Sequence, residues 1–150
     1  MGQMMLRWIV LIVILVGGFM FFKNVSVPEL GVTEGKFQPL SSRPNSVSTQ
    51  TAVKSKKVFP LIYSGNLNEE MSRIVAILEA MPGAKVHKKE GAYLHAIFTT
   101  SLMRYKDDVE IYIDEKAKEV HFRSASRVGY SDMGVNRKRY DAFALKYLAD

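Results

Sequence analysis

Residues 107–124 read DDVEIYIDEKAKEVHFRS, and this stretch decides the predicted fold. Apolar and polar residues alternate on both sides of a charged segment, which is the pattern of two half-buried strands joined by a turn. A two-residue turn at Glu115-Lys116 predicts the core-facing pairs Val109 with Phe122, Ile111 with Val120, and Ile113 with Lys118. On the opposite side of the sheet, the same register predicts the pairs Asp108 with Arg123, Glu110 with His121, and Tyr112 with Glu119.

Strand and helix patterns around this hairpin extend the prediction to a complete domain. Strands are predicted at 58–63, 85–89, 92–100, 102–114 and 118–124. Asn66 and Glu69 form a capping-box signal for a first amphipathic helix, which Pro82-Gly83 ends, and a second helix is predicted at about 135–148. This order predicts an α+β fold, in which two helices pack on one face of an antiparallel meander sheet. The other face of the sheet is predicted to be left for solvent or ligand.

The N-terminal residues have the composition of a membrane anchor. Trp8–Phe22 contain no charged residue and form a helix of about 22 Å. Extension back to Met4 gives about 28 Å, close to the hydrocarbon layer of about 30 Å, with the Arg7 head at the interface. A cleaved signal peptide and a buried core helix are the alternatives. The absence of a small-x-small pair after Phe22 favours an uncleaved anchor.

The charge beside the anchor indicates its orientation. Arg7 on the amino-terminal side favours a cytoplasmic N-terminus. We therefore predict a single-pass protein of the inner (cytoplasmic) membrane that contacts the bilayer through residues 4–22, with the bulk of the chain extracytoplasmic. The predicted divisions are the anchor at 1–23, a Ser-, Pro- and Thr-rich stalk at 24–57, and the α+β domain at 58–150. The stalk is expected to be partly ordered from residue 37.

Positive charge is concentrated near the C-terminus. The chain has 21 Lys and Arg against 15 Asp and Glu, and residues 123–139 alone contain five basic residues and a single acid, Asp132. A local patch of this kind indicates an anionic partner. Nucleic acid is not expected as that partner, because the predicted anchor places the domain outside the cytoplasm. The absence of cysteine excludes disulfides, thiolate metal sites and cysteine nucleophiles.

The segment 123–140, RSASRVGYSDMGVNRKRY, is the predicted ligand site. It links the last strand to the last helix, and backbone amides at a helix start attract phosphate, sulfate or carboxylate when arginines lie nearby. The predicted ligand-binding residues are Arg123, Arg127, Tyr130, Ser131 and Arg137, with Asp108 orienting Arg123 and Asn136 at the helix start. In the alternative interpretation, Arg123 and Arg127 pair with the acids Asp107, Asp108 and Asp132 and only fix the loop, while Lys138 and Arg139 are solvated helix residues.

Catalytic and metal sites have weaker support. His95 and His121 lie on strands separated by a third, about 9 to 10 Å apart, so no metal site and no cofactor is predicted. The serines of the segment lack a G-x-S-x-G motif. An enzyme remains an alternative only through a polar pocket around Asp108 and His121.

A family resemblance rests on the same residues. The strings DDVEIYID and VHFRSASRVGYSDMGVNRKR, with RPNSVSTQ, PLIYSG and ILEAMPGAKV upstream, resemble the pattern of the bacterial and plastid family filed as domain of unknown function 1499. The resemblance covers roughly residues 37–148. It implies an extracytoplasmic or lumenal location for many members, and no activity.

One departure from the family pattern adds two candidates. Many relatives have a cysteine pair where this chain has Leu40 and Ser46, so a disulfide or metal role for that pair cannot apply here. The resemblance also implies that residues 37–51 are partly ordered against the domain. Asn45 and Gln50 are therefore second-tier site candidates, together with His121 and Asn136.

These observations predict a membrane-anchored binding or accessory module without enzymatic activity. The expected ligand is an anionic small molecule or a lipid headgroup. One alternative is an envelope hydrolase or transferase that uses Asp108 and His121. Another is a small subunit of a membrane protein complex, which contacts its partner through Gly17-Gly18 in the anchor.

Overall fold

The computed structural model of the protein describes residues 2–149. Its three α-helices are α1 (Gly2–Val25), α2 (Leu67–Glu79) and α3 (Val135–Ala149). Its strands are β1 (Val32–Thr33), β2 (Lys36–Phe37), β3 (Ser46–Ser48), β4 (Leu61–Ile62), β5 (Ala84–Glu90), β6 (Tyr93–Thr99), β7 (Lys106–Asp114) and β8 (Glu119–Ser126). A short 3₁₀ helix occupies Lys54–Lys56.

The main sheet is antiparallel and has the strand order β3-β8-β7-β6-β5. Strands β5 to β8 form a meander of sequential neighbours, and β4 pairs with the far end of β8. Helices α2 and α3 pack together on this sheet. The α+β prediction with an N-terminal apolar helix is therefore confirmed.

Apolar side chains on alternate positions of the strands form the core under the two helices. Val109, Ile111 and Ile113 from β7 are fully buried there, as the alternation predicts. On β8, Phe122 packs against Tyr140 and Phe143 of α3. The helix α2 begins at Asn66, whose side chain accepts a hydrogen bond from Glu69 N at 2.9 Å, as the capping-box signal predicts.

The register of the central hairpin differs from the prediction by two residues. Asp108 pairs with Ala125, Glu110 with Arg123, Tyr112 with His121, Val109 with Ser124, Ile111 with Phe122, and Ile113 with Val120. The predicted two-residue turn is wrong because the loop has four residues, 115–118. Asp114 Oδ1 accepts hydrogen bonds from the backbone amides of the second and third of these residues, and Lys118 closes the loop at φ 58°.

The second face of the sheet, opposite the helices, is covered. Phe37 of β2 is buried, and Gly35 lies over the Tyr112 ring, because a Cβ at Gly35 would stand 3.6 Å from the Tyr112 hydroxyl. On this face Glu110 is fully buried and Arg123 is only 8% exposed. The prediction that this face is left for solvent or ligand is therefore wrong where the hairpin β1-β2 packs on it.

Residues of the predicted stalk at 24–57 take part in the folded unit. Strand β3 pairs with the end of β8, and the backbone amide of Thr49 donates to the carbonyl of Phe122 at 2.9 Å. The Gln50 side chain accepts from Phe37 N and donates to the Gly35 carbonyl, both at 2.8 Å. These contacts hold β1-β2 against the sheet.

Helix α1 projects from the domain with its apolar side chains exposed. Within residues 2–149, it is the single helix that is long and apolar enough to cross a membrane. Its last turn is tied to the sheet by Asn24. The Asn24 amide donates to the Arg104 carbonyl at 3.0 Å and accepts from Lys106 N at 2.9 Å, while Arg127 donates to the Asn24 carbonyl at 3.1 Å.

Candidate functional site

The six principal site residues predicted from the sequence lie in separate places. Arg123, Arg127 and Asp108 line one groove on the second face, beside the end of α1. Tyr130 and Ser131 lie on the β8-α3 loop, and Tyr130 is 75% exposed. Arg137 lies on α3 and donates to the carbonyls of Ser55 and Lys57. The structure therefore brings three of the six residues together around one groove.

Arg127 and Asp108 form the first ion pair of the groove. Arg127 Nε lies 2.8 Å from Asp108 Oδ2, and Arg127 Nη2 lies 2.7 Å from Asp108 Oδ1. His95 Nε2 also donates to Asp108 Oδ1, at 2.7 Å. Burial raises the pKa of Asp108, but the hydrogen bonds from Arg127 and His95 and the charge of Arg127 outweigh burial and hold the pKa below its ordinary value. Asp108 is therefore an ionised acceptor that fixes Arg127.

Arg123 and Glu110 form the second ion pair. Arg123 Nη1 donates to Glu110 Oε2, and the Tyr93 hydroxyl donates to Glu110 Oε1 at 2.8 Å. Burial, and then the charge and hydrogen bond of Glu110, raise the pKa of Tyr93 well above its ordinary value, so the phenol stays neutral. The sequence predicted that Asp108 orients Arg123, but Glu110 orients it instead, because the register of the hairpin is shifted by two residues.

Three residues of this network, Tyr93, His95 and Glu110, are absent from the predicted site. Alternation along the strands places all three on the second face, so the sequence does indicate which face of the sheet they occupy. Their partners depend on register, and a shift of two residues preserves the face but changes every neighbour. The two ion pairs therefore follow from sequence only when the loop length of the hairpin is known.

The groove beside these ion pairs has a volume of about 430 Å³. We call it the anchor groove, and its lining includes Phe22 and Lys23 from α1, Leu30 from the segment that follows, and Asp108, Arg123 and Arg127 from the sheet. Within the described part of the chain, the buried Arg123 Nε has no hydrogen-bond partner. An unpaired donor of this kind costs free energy unless water or a ligand accepts its hydrogen bond. The anchor groove thus combines cationic donors with an apolar wall.

The start of α3, predicted as an anion site, carries its own carboxylate. Asp132 accepts hydrogen bonds from Gly134 N at 3.0 Å and from Asn136 N at 2.8 Å, and Ser131 Oγ accepts from Met133 N at 3.2 Å. Burial raises the pKa of Asp132, but the hydrogen bonds from Asn136 and Gly134 lower it below its ordinary value. A negative charge thus occupies the helix N-terminus, where an external anion would have to displace it.

Asn136 belongs to a buried network on the helix side of the sheet. Arg139 donates to Asp107 Oδ2 at 2.6 Å and to Asn136 Oδ1 at 2.7 Å. Asn136 Nδ2 donates to the Asn45 carbonyl at 2.9 Å, and Asn45 Nδ2 donates to the Gly129 carbonyl at 3.0 Å. These bonds tie α3, β3 and the β8-α3 loop together. They fix the loop, but with other partners than the alternative interpretation predicts. Asp107 pairs with the buried Arg139, which that interpretation leaves in solvent.

His121 and Asp108, the pair considered for an enzyme, have different partners. His121 pairs with Tyr112, so it lies four positions, or about 13 Å, along the sheet from Asp108. Its ring stacks on Tyr112, and its Nδ1 is hydrogen-bonded to Thr49 Oγ1 at 3.2 Å. Burial lowers the pKa of His121, and the positive charge of Lys57 lowers it further. The negative charges of Glu119 and Asp114 raise the pKa and partly offset this decrease. Across residues 2–149, no group of three or more His, Asp and Glu side chains is arranged to hold a metal ion.

A known protein family matches most of the chain. The sequence model of the DUF1499 family matches residues 36–146, and the family is described as a protein of unknown function. The match runs from β2 into α3, so it includes the main sheet and both packed helices and leaves out α1. A search of the curated proteins found no match.

Proposed function

The chain belongs to the DUF1499 family, whose function is unknown. From the contacts of its own residues, we propose that it is a membrane-anchored binding module for an anionic group. The proposed ligand group is a phosphate or carboxylate that enters the anchor groove. We further propose that α1 crosses the inner membrane once with Arg7 on the cytoplasmic side, so that the domain is extracytoplasmic.

One observation carries the ligand proposal. Arg123 lines the anchor groove, and its buried Nε–H meets no acceptor among residues 2–149. Glu110 already accepts from Arg123 Nη1, so the guanidinium is held in place while one of its donors has no partner. An anionic oxygen suits the position because hydrogen bonds from a charged donor to a charged acceptor are the stronger kind.

The charge and shape of the anchor groove support the same ligand class. Lys23, Arg123 and Arg127 supply three cations, and Asp108 and Glu110 supply two carboxylates, so the balance around the groove is positive. Lys23 is exposed in the last turn of α1 and is free to turn toward a ligand. A headgroup of a membrane lipid and a small soluble anion share this chemistry.

The test measures thermal unfolding of the full chain in nonionic detergent micelles by circular dichroism. One arm adds inorganic phosphate or acetate at constant ionic strength, and the other adds phosphatidylglycerol to the micelles. A raised midpoint in the first arm identifies a soluble anion, and a raised midpoint in the second arm alone identifies a lipid headgroup. No change in either arm overturns the proposal.

Two matched variants separate the anchor groove from general charge effects. Lys23→Gln removes an exposed cation of the groove and is expected to reduce the ligand-dependent shift without lowering the ligand-free midpoint. Lys146→Gln makes the same change at an exposed position of α3 and is expected to leave the shift intact. Equal losses in both variants would mean that the anion acts through net charge, and the groove would lose its assignment.

A further inference from the structure

Two loops of the domain lie beside the last turns of the membrane helix. The β6-β7 loop, residues 100–105, is tied to α1 through the Arg104 carbonyl and Asn24. The β8-α3 loop, residues 127–134, is tied to the same place, because Arg127 donates to the Asn24 carbonyl. Asn24 therefore fixes both loops at the end of α1 that enters the domain.

The tips of these two loops are apolar and exposed. Leu102 is 87% exposed and Met133 is 89% exposed. Met103, Tyr105 and Tyr130 are exposed as well. Exposure alone does not distinguish these residues, since Ile62 is also exposed at the opposite end of the domain.

Depth along α1 is the feature that distinguishes the loops. Met20 lines one hollow together with Tyr105 and Met133, and Phe19 lines another with Tyr130. Phe19 and Met20 precede Lys23 by three to four residues, which places them roughly 5 Å deeper than Lys23 on the helix axis. With the Lys23 ammonium at the membrane interface, Tyr105, Tyr130 and Met133 therefore lie near the boundary between headgroups and acyl chains. Leu102 and Met103 belong to the same loop as Tyr105.

We propose that the β6-β7 and β8-α3 loops form a second membrane contact, which inserts Leu102, Met103 and Met133 into the bilayer interface beside α1. The two tyrosines, Tyr105 and Tyr130, suit the headgroup level, where the ring is apolar and the hydroxyl is hydrated. Insertion of about 5 to 10 Å is typical of interfacial elements. This inference rests on the proposed insertion of α1 into a bilayer and not on anion binding in the anchor groove.

The cations near the loops support a lipid surface as the partner. Arg104 is in the β6-β7 loop, and Arg43 lines the hollow that Phe19 and Tyr130 share. Basic residues at this level attract the phosphates of lipid headgroups. The occupant of the surface is therefore the bilayer that holds α1, and continuity with α1 is the reason for preferring it to a partner protein.

The experiment uses tryptophan as a depth probe in the full chain. Trp8 is the single tryptophan of the sequence, so Trp8→Phe gives a silent background into which Leu102→Trp or Met133→Trp is introduced. Each variant is reconstituted in pure phosphatidylcholine vesicles with lipids brominated near the glycerol end of their acyl chains. The inference predicts strong quenching and blue-shifted emission at both positions.

The matched control is Ile62→Trp in the same background. Ile62 is exposed and pairs with Glu119, seven residues or roughly 23 Å along β8 from Ser126. Its emission is expected to be unquenched. The inference is overturned when Leu102→Trp and Met133→Trp match the Ile62→Trp emission while native Trp8 in the wild-type chain is quenched. Unquenched Trp8 would refute the anchor itself.

Discussion

Glu110→Gln tests whether the second face of the sheet is held by compensated charge. Glu110 is fully buried and accepts from Arg123 and Tyr93. The amide keeps the shape of the side chain but removes its charge, so the buried Arg123 guanidinium loses its carboxylate. Breaking one partner of a buried ion pair costs about 3 to 5 kcal/mol, and a remaining hydrogen bond to the amide returns about 1 kcal/mol. We expect a loss of about 3 kcal/mol in the free energy of unfolding.

Urea and thermal unfolding in a nonionic detergent, followed by circular dichroism, measure this loss. A loss of this size corresponds to a decrease of roughly 10 °C in the thermal midpoint for a domain of this length. Glu115→Gln is the matched control, because Glu115 is an exposed residue of the β7-β8 loop, and its loss is expected to stay within about 0.5 kcal/mol.

The double variant Glu110→Gln with Arg123→Met separates uncompensated charge from lost packing. Removing both partners of a buried pair is often close to neutral, so the double variant is expected to be more stable than Glu110→Gln alone. A Glu110→Gln protein as stable as the Glu115→Gln control would refute the reasoning. So would a double variant in which the two losses simply add.

Two further predictions concern the α3 cap and the histidine on the second face. Asp132→Ala removes the acceptor of Gly134 N and Asn136 N and is expected to lower the free energy of unfolding in urea by about 1 to 2 kcal/mol. Asp132→Asn keeps a capping side chain, so its stability is expected to stay close to that of the wild type. Equal losses in the two variants would contradict the capping role. The lowered pKa of His121 means that the unfolded chain takes up a proton first, so stability is complete above about pH 6.5 and decreases as the pH falls below it. His121→Asn is expected to flatten that slope in unfolding measured from pH 7.5 to 5, and an unchanged slope would assign it to other groups.

Strands β5 to β8 could be predicted from local pattern, whereas the register of β7 and β8 and the pairing of β3 with β8 could not. Alternation in 107–126 fixes which side chains of β7 and β8 face the core, because the strand period is two. Pairing depends on the loop, and Lys118 adopts positive φ without a glycine to mark the position. The four-residue loop therefore has no strong sequence signal. Because the register depends on this loop, the partners of Glu110 and Asp108 could not be predicted either.

The covering of the second face could not be predicted for a different reason. Residues 28–38 have no sustained period, and the two-residue strands β1 and β2 are too short to show alternation. Their position depends on single long-range contacts, such as those of Gln50 with Phe37 and Gly35. Arg123 and Arg127 of the positive segment 123–139 line the anchor groove, but sequence spacing did not reveal that Arg137 binds carbonyls on another surface.

The Asn24 contacts limit how far the domain can move from its membrane helix. A flexible tether of 34 residues would let a domain wander roughly 30 Å from its anchor. Here the amide of Asn24 joins the end of α1 directly to Arg104 and Lys106, so that range disappears. In a bilayer crossed by α1, tilt or rotation of the helix would be transmitted to the sheet as a rigid movement. A partner that is itself embedded in the bilayer would then meet the domain at the membrane surface, by lateral diffusion in two dimensions.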